Sequence, residues 1–135
     1  MKKLSLILAA AAMLLMTACT KEQTPTLDGT SWSAKDIRGD RQTTYNLNIS
    51  NGKGSLSVND RVTGVYSDNL RYEVMSYTFT DETHGTMKFK VLNYGNPNSG
   101  YRYGDTSTHD FDLRVNGTKM GFGNPYRSTV LDRTR

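Results

Sequence analysis

From residue 45 onward, apolar side chains recur at every second position, and turn residues cut the runs short. Tyr45, Leu47 and Ile49 alternate with Asn46, Asn48 and Ser50. A period of two puts one set of side chains on one face of an extended strand, whereas a helix needs a period near 3.6. Asn51-Gly52 follows, and both residues tolerate the positive φ of a tight hairpin. Leu56 and Val58 come next, then Asn59-Asp60 as a turn. A short strand over Val62 to Tyr66 ends at Asp68-Asn69. Met87, Phe89 and Val91 alternate with Lys88 and Lys90, and Phe111, Leu113 and Val115 with Asp110, Asp112 and Arg114. Asn116-Gly117 is a second strong turn, with Met120 and Phe122 on the return strand and a last strand around Ser128 to Asp132.

The longest strand, Leu70 to Thr80, changes phase. Leu70, Tyr72 and Val74 share one parity, and Met75, Tyr77 and Phe79 the other. A β-bulge near Val74-Met75 lets both sets face inward. With Trp32 in a first strand, the chain reads as all-β, with eight or nine antiparallel strands. A flat sheet would leave each apolar face wet and two edges unpaired. Closing the up-and-down meander into a barrel removes both problems; a two-sheet sandwich is the alternative. The expected interior holds Trp32, Tyr45, Tyr72, Tyr77, Phe79, Phe89, Phe111 and Phe122. So many rings favour a largely filled barrel over a deep cup.

The first twenty residues have a different character. Lys2 and Lys3 precede an apolar run from Leu4 to Met16, broken only by Ser5. Positive-then-apolar is the order of a secretory signal. Thirteen residues are too few to span a bilayer, which takes about 20. A cut after Ala18 would place Met16 where ordinary secretory cleavage wants a small residue. Met16-Thr17-Ala18-Cys19 instead resembles the lipobox of bacterial lipoproteins, with methionine in place of the usual leucine. The resemblance implies a signal peptide over residues 1–18, cleavage before Cys19 and acyl chains on that residue. Cys19 is the only cysteine, so no internal disulfide competes for it. At about 0.8 kcal/mol per buried methylene, two or three acyl chains make a lasting membrane anchor.

Cleavage there removes 18 of the 135 residues and leaves 117, enough for one domain. The formal charge of +4 includes Lys2 and Lys3, so the mature chain carries +2, with the signs interspersed. Such a surface does not point to nucleic acid. Residues 19–28 read as the lipidated cysteine and a tether, and 29–135 as the barrel domain. Nine extended residues reach at most about 30 Å.

Leu27-Asp28-Gly29-Thr30-Ser31-Trp32, the lipobox, the meander and the late hairpin over residues 111–122 together resemble lipocalin-like barrel lipoproteins of the Bacteroidetes cell envelope. The first of these departs from the lipocalin Gly-x-Trp by one inserted residue. Lys21-Glu22 resembles the short charged export signal of surface lipoproteins in that group. The resemblance implies a lipid-anchored envelope protein, in the outer membrane, with a lipocalin-like barrel.

No catalytic constellation stands out. Ser99 and Ser128 lack the context of a nucleophile elbow, no phosphate-binding glycine loop is present, and Asp110 with Asp112 reads as an outer strand face. His84 lies in the turn after Asp81 and Glu82, and His109 opens a strand; both read as surface histidines. No enzyme activity, metal or cofactor is expected. The unusual segment is residues 93–107, long for a hairpin connection. Tyr94, Tyr101, Arg102 and Tyr103 stand there among glycine, asparagine and serine, and Tyr126 falls at the same end. Rigid rings among small polar residues suit recognition. The expected function is non-enzymatic binding of a small molecule or glycan at one barrel mouth by a monomer. The alternative is a protein-interaction module, such as an envelope assembly partner or a hydrolase inhibitor.

Overall fold

The computed structural model describes residues 24–93, 102–123 and 129–135. Eight strands run through them: β1 (Ser31–Arg38), β2 (Arg41–Ser50), β3 (Lys53–Val62), β4 (Tyr66–Phe79), β5 (His84–Asn93), β6 (Thr106–Arg114), β7 (Lys119–Gly123) and β8 (Thr129–Arg133). Each pairs antiparallel with its sequence neighbours, and β1 with β8, closing a barrel in simple meander order. At the seam Trp32 lies opposite Arg133, and Ser31 and Thr134 exchange a backbone bond of 2.8 Å.

Local chemistry sets the register. Asn51 and Gly52 both take positive φ (53° and 73°), the geometry of a two-residue hairpin whose twist matches its strands. The phase change in β4 is a bulge: Val74 pairs with Phe89 and Ser76 with Lys88, leaving Met75 unpaired. Val74 and Tyr77 therefore both reach the interior. All eight rings expected inside are in the core or packed against it.

Two boundaries differ from the sequence reading. The short strand over Val62 to Tyr66 is a turn, and Asn59-Asp60 and Asp68-Asn69 lie within β3 and β4, where they pair with one another. The count is therefore eight. Asn and Asp favour turns because their side chains compete for local backbone bonds, but here ladder pairing prevails, with β2 and β4 for Asn59-Asp60 and with β3 for Asp68-Asn69. Residues 26–28, expected in the tether, belong to the packed domain: Leu27 is 1 % exposed, in the core with Trp32 and Met120. The Tyr77 hydroxyl accepts from the Leu27 backbone N–H (3.0 Å), donates to Asp28 Oδ1 (2.8 Å) and meets Thr26 Oγ1 at 2.9 Å. The Trp32 indole N–H donates to Thr30 Oγ1 (2.8 Å), which donates to the Leu27 carbonyl.

This knot seals one end of the barrel. That closed end also carries the β2–β3, β4–β5 and β6–β7 turns and the C-terminus. The other end, the mouth, carries the β1–β2 and β3–β4 turns and the β5–β6 and β7–β8 connections.

Candidate functional site

The interior divides along the barrel axis. In the half toward the closed end Leu27, Trp32, Leu47, Ile49, Val74, Met87, Phe111 and Met120 fill the space. Gly85 leaves room for the Phe111 ring and the Thr78 carbonyl, since a Cβ there would stand 2.6 Å from Phe111 Cζ and closer still to the Thr78 oxygen. In the half toward the mouth the packing stops. A cavity of about 250 Å³ remains, lined chiefly by Tyr45, Leu56, Leu70, Tyr72, Phe89 and Phe122, with Ser107, His109 and Thr129 as polar members. The expectation of a largely filled barrel is thus correct for one half only. The rings are numerous enough, but Tyr45, Tyr72, Phe89 and Phe122 on the mouth side line the wall of this space.

His109 is placed by parity. On β6 it shares the inner face with Phe111, two residues on, so it lines the cavity and is not a surface histidine as expected. Its ring centroid is 5.6 Å from that of Phe89, and Nε2 is 3.0 Å from Ser107 Oγ. A hydroxyl within reach of an imidazole is the first half of a nucleophilic pair. The second half is a group that orients the imidazole. Among the described residues no carboxylate is hydrogen-bonded to His109. Asp110 and Asp112 lie on the opposite face, as expected, where Asp112 pairs with Arg114.

The mouth has a polar arc on the β1–β4 side. Arg41 and Thr43 continue the inner face of Tyr45, and Asp60 continues that of Val58. Arg41 grips Asp60 with two parallel bonds (Nε–Oδ1 2.9 Å, Nη2–Oδ2 2.7 Å), while the hydroxyls of Thr43 (3.0 Å) and Tyr66 (3.1 Å) donate to the same carboxylate. Four donors on one carboxylate stabilise its charged form. The Arg41 hydrogen bonds lead in holding Asp60 below the usual carboxylate range, and the same contact raises Arg41. Asp36 and Arg38 pair at 3.0 Å on the neighbouring strand. The cluster braces the rim and leaves the aromatic floor below it apolar. Sequence reading passed over it because polar residues at the ends of alternating runs look like solvent-facing ones.

Of the residues expected to recognise a ligand, two are described. Arg102 and Tyr103 form a turn at the mouth end, closed by the Asp105 carboxylate on the Arg102 N–H (3.0 Å). Tyr103 is 67 % exposed, with Lys90 Nζ 6.0 Å from its ring. Tyr94, Tyr101, Tyr126 and Cys19 lie outside the described residues, as do Ser99 and Ser128. His84, expected in a turn, opens β5 at the closed end, exposed, opposite Asp112 and 3.0 Å from Asp81 Oδ1. Among the described residues no three His, Cys, Asp or Glu side chains gather as metal ligands, and no helix is long and apolar enough to cross a membrane.

No protein-family model, no curated protein and no solved structure compared with this chain matches it.

Proposed function

We propose that this protein is a lipid-anchored, non-enzymatic binding protein of the bacterial cell envelope, holding a small molecule in the mouth half of its barrel. One observation carries the reading: the interior is packed at the end where the described chain starts and open at the other. The described chain enters the barrel at the closed end, where Leu27 and Asp28 meet Tyr77, so acyl chains on Cys19, a few residues upstream, would tether that end and turn the mouth away from the bilayer. Binding needs a preformed concave apolar site with a few polar groups, and the cavity with Ser107 and His109 has that composition. Glycan binding fits less well. Each sugar hydroxyl buried without a partner costs about 1–3 kcal/mol, and this lining is mostly hydrocarbon.

A test begins with protein purified from envelopes of its own cells, without denaturation, and assayed for co-purifying small molecules by mass spectrometry. Wild type carries a guest in near-stoichiometric amount, and Leu70→Trp, which fills the cavity, carries none. Equal traces in both variants reject the reading.

A second reading has its own support. Ile37, Val65, Leu92 and Tyr103 are exposed apolar side chains at or near the mouth end, with Val65 73 % exposed. A protein partner docking there would make the rim the functional surface. Val65→Asp would then abolish capture of that partner and leave the cavity guest in place.

A further inference from the structure

We infer that the guest is a compact planar aromatic molecule of about ten non-hydrogen atoms with a hydroxyl, carbonyl or N–H group, and that His109 with Ser107 reads that group. The inference rests on the reading of the cavity as a binding site and narrows it to one class of ligand.

Volume sets the size. An apolar cavity of about 150 Å³ takes up benzene. Scaled from there, about 250 Å³ holds roughly ten non-hydrogen atoms. A long acyl chain, a porphyrin or a disaccharide is too large to be enclosed whole in that volume. The packed half below, with Leu47, Val74 and Met87 fully buried, leaves no deeper channel for a tail.

The walls set the shape. Phe89 stands between Tyr72, edge-on with centroids 6.3 Å apart, and Phe122, tilted at 6.1 Å. With Tyr45 on the far wall, these rings offer both faces and edges to a flat guest. Aromatic pairs favour such offset and edge contacts.

The Ser107–His109 pair sets where a polar group of the guest is read. Nε2 of His109 is engaged by Ser107, and Nδ1 is the nitrogen left for a guest. If the serine hydroxyl donates to Nε2, the proton sits on Nδ1, which then donates to a carbonyl. If Nε2–H donates to the serine, Nδ1 accepts from a hydroxyl or N–H. The pair can therefore satisfy one group of either sense. The rim carboxylate Asp60 already accepts from Arg41, Thr43 and Tyr66, so it offers little to a second polar group.

The whole chain in lipid nanodiscs, with empty nanodiscs as blank, can be titrated with 2-naphthol, naphthalene, palmitate and glucose. Methyl NMR signals of Leu56, Val58, Leu70 and Leu131 report the cavity, and Val115, at the closed end, is the control. Both naphthalene compounds should move the cavity methyls and leave Val115 still. 2-Naphthol should bind about three- to tenfold more tightly, the usual worth of one added hydrogen bond. His109→Phe should erase that preference while keeping naphthalene affinity. This separates a contact with the guest from a merely structural role, which would weaken both ligands alike. If palmitate or glucose moves the cavity methyls and the naphthalenes do not, the ligand class is wrong and the binding reading stands. If none of the four moves them, both fall. If 2-naphthol keeps its preference in His109→Phe, the assignment of His109 is overturned.

Discussion

Leu27→Ala separates the sequence reading from the structure more sharply than any other single change. By pattern, Leu27 belongs to a polar tether and its loss should be nearly neutral, as surface changes are, within about 0.5 kcal/mol. In the structure it is the stopper of the closed end, packed in one cluster with Trp32 and Met120. Truncation removes three buried carbons, about 2.4 kcal/mol at about 0.8 kcal/mol per methylene, and adds a term for the space left behind. Measured costs for buried leucines run from about 2.7 to 5.0 kcal/mol, lower where the site can collapse. Thr26 and Asp28 on either side are exposed, so the segment can settle inward, and we expect about 3 kcal/mol. With a urea slope of about 1.5 kcal/mol/M for a domain of this size, the midpoint should fall by about 2 M. Tyr77→Phe, which removes the hydroxyl bonded to the Leu27 N–H and Asp28, should cost about 1 kcal/mol. Equilibrium urea unfolding of the protein from Thr24 to Arg135, followed by Trp32 fluorescence, measures both. A Leu27→Ala midpoint within roughly 0.3 M of wild type, about the scatter of such measurements, would refute the sealed end.

Cys19→Ser should abolish acylation and leave the precursor uncleaved at that site, which intact-mass measurement of the membrane fraction decides. Phe111→Ala should cost about 3–5 kcal/mol, against about 0.5 kcal/mol or less for Asp112→Ala on the outer face, both read from urea midpoints. Val115 holds φ at 50° and is 64 % exposed; a β-branched residue is strained there, so Val115→Asn should stabilise by about 1 kcal/mol and raise Tm by about 4 °C. Asp81 accepts from the backbone of Thr83, then from His84, and is held down to about 2 from 3.8. A depressed carboxylate stabilises the fold above its unfolded value and loses that contribution as pH falls through its folded one. Wild type should therefore lose stability more steeply than Asp81→Asn between about pH 4 and 2, a difference visible in Tm against pH.

The barrel was legible because its causes are local. Asn51-Gly52 and Asn116-Gly117 mark hairpins through the φ values they permit, and the parity break at Val74-Met75 announces its own bulge. What failed was punctuation without a conformational demand. Asn59-Asp60 and Asp68-Asn69 look like turns, yet they face each other across the β3–β4 ladder, because the hairpin reverses between them at residues 63–65. Leu27 failed for the same reason. One apolar residue among polar ones has no period, and its burial depends on Tyr77, fifty residues away, meeting the same stretch of backbone.

The site was half legible for a related reason. Parity alone puts His109 on the inner face, since it stands two residues from Phe111. Near a barrel mouth, though, the inner face stops being apolar. Arg41, Thr43 and Asp60 sit there because they satisfy one another and lie near solvent. Polarity is therefore a poor guide to orientation at the end where a ligand must enter, and alternation carried one or two residues past its last apolar member is a better one. The cavity itself was not legible at any residue. The same eight rings fill an interior or line one according to what packs beside them. Phe111 lies against Phe79 at 5.3 Å among Leu27, Trp32 and Met120 in the packed half, whereas Phe89, in contact with Tyr72 and Phe122, frames with them and Tyr45 the open space above. The glycine under Phe111 and the stopper at Leu27 draw the packing toward the closed end, and the empty half is what remains.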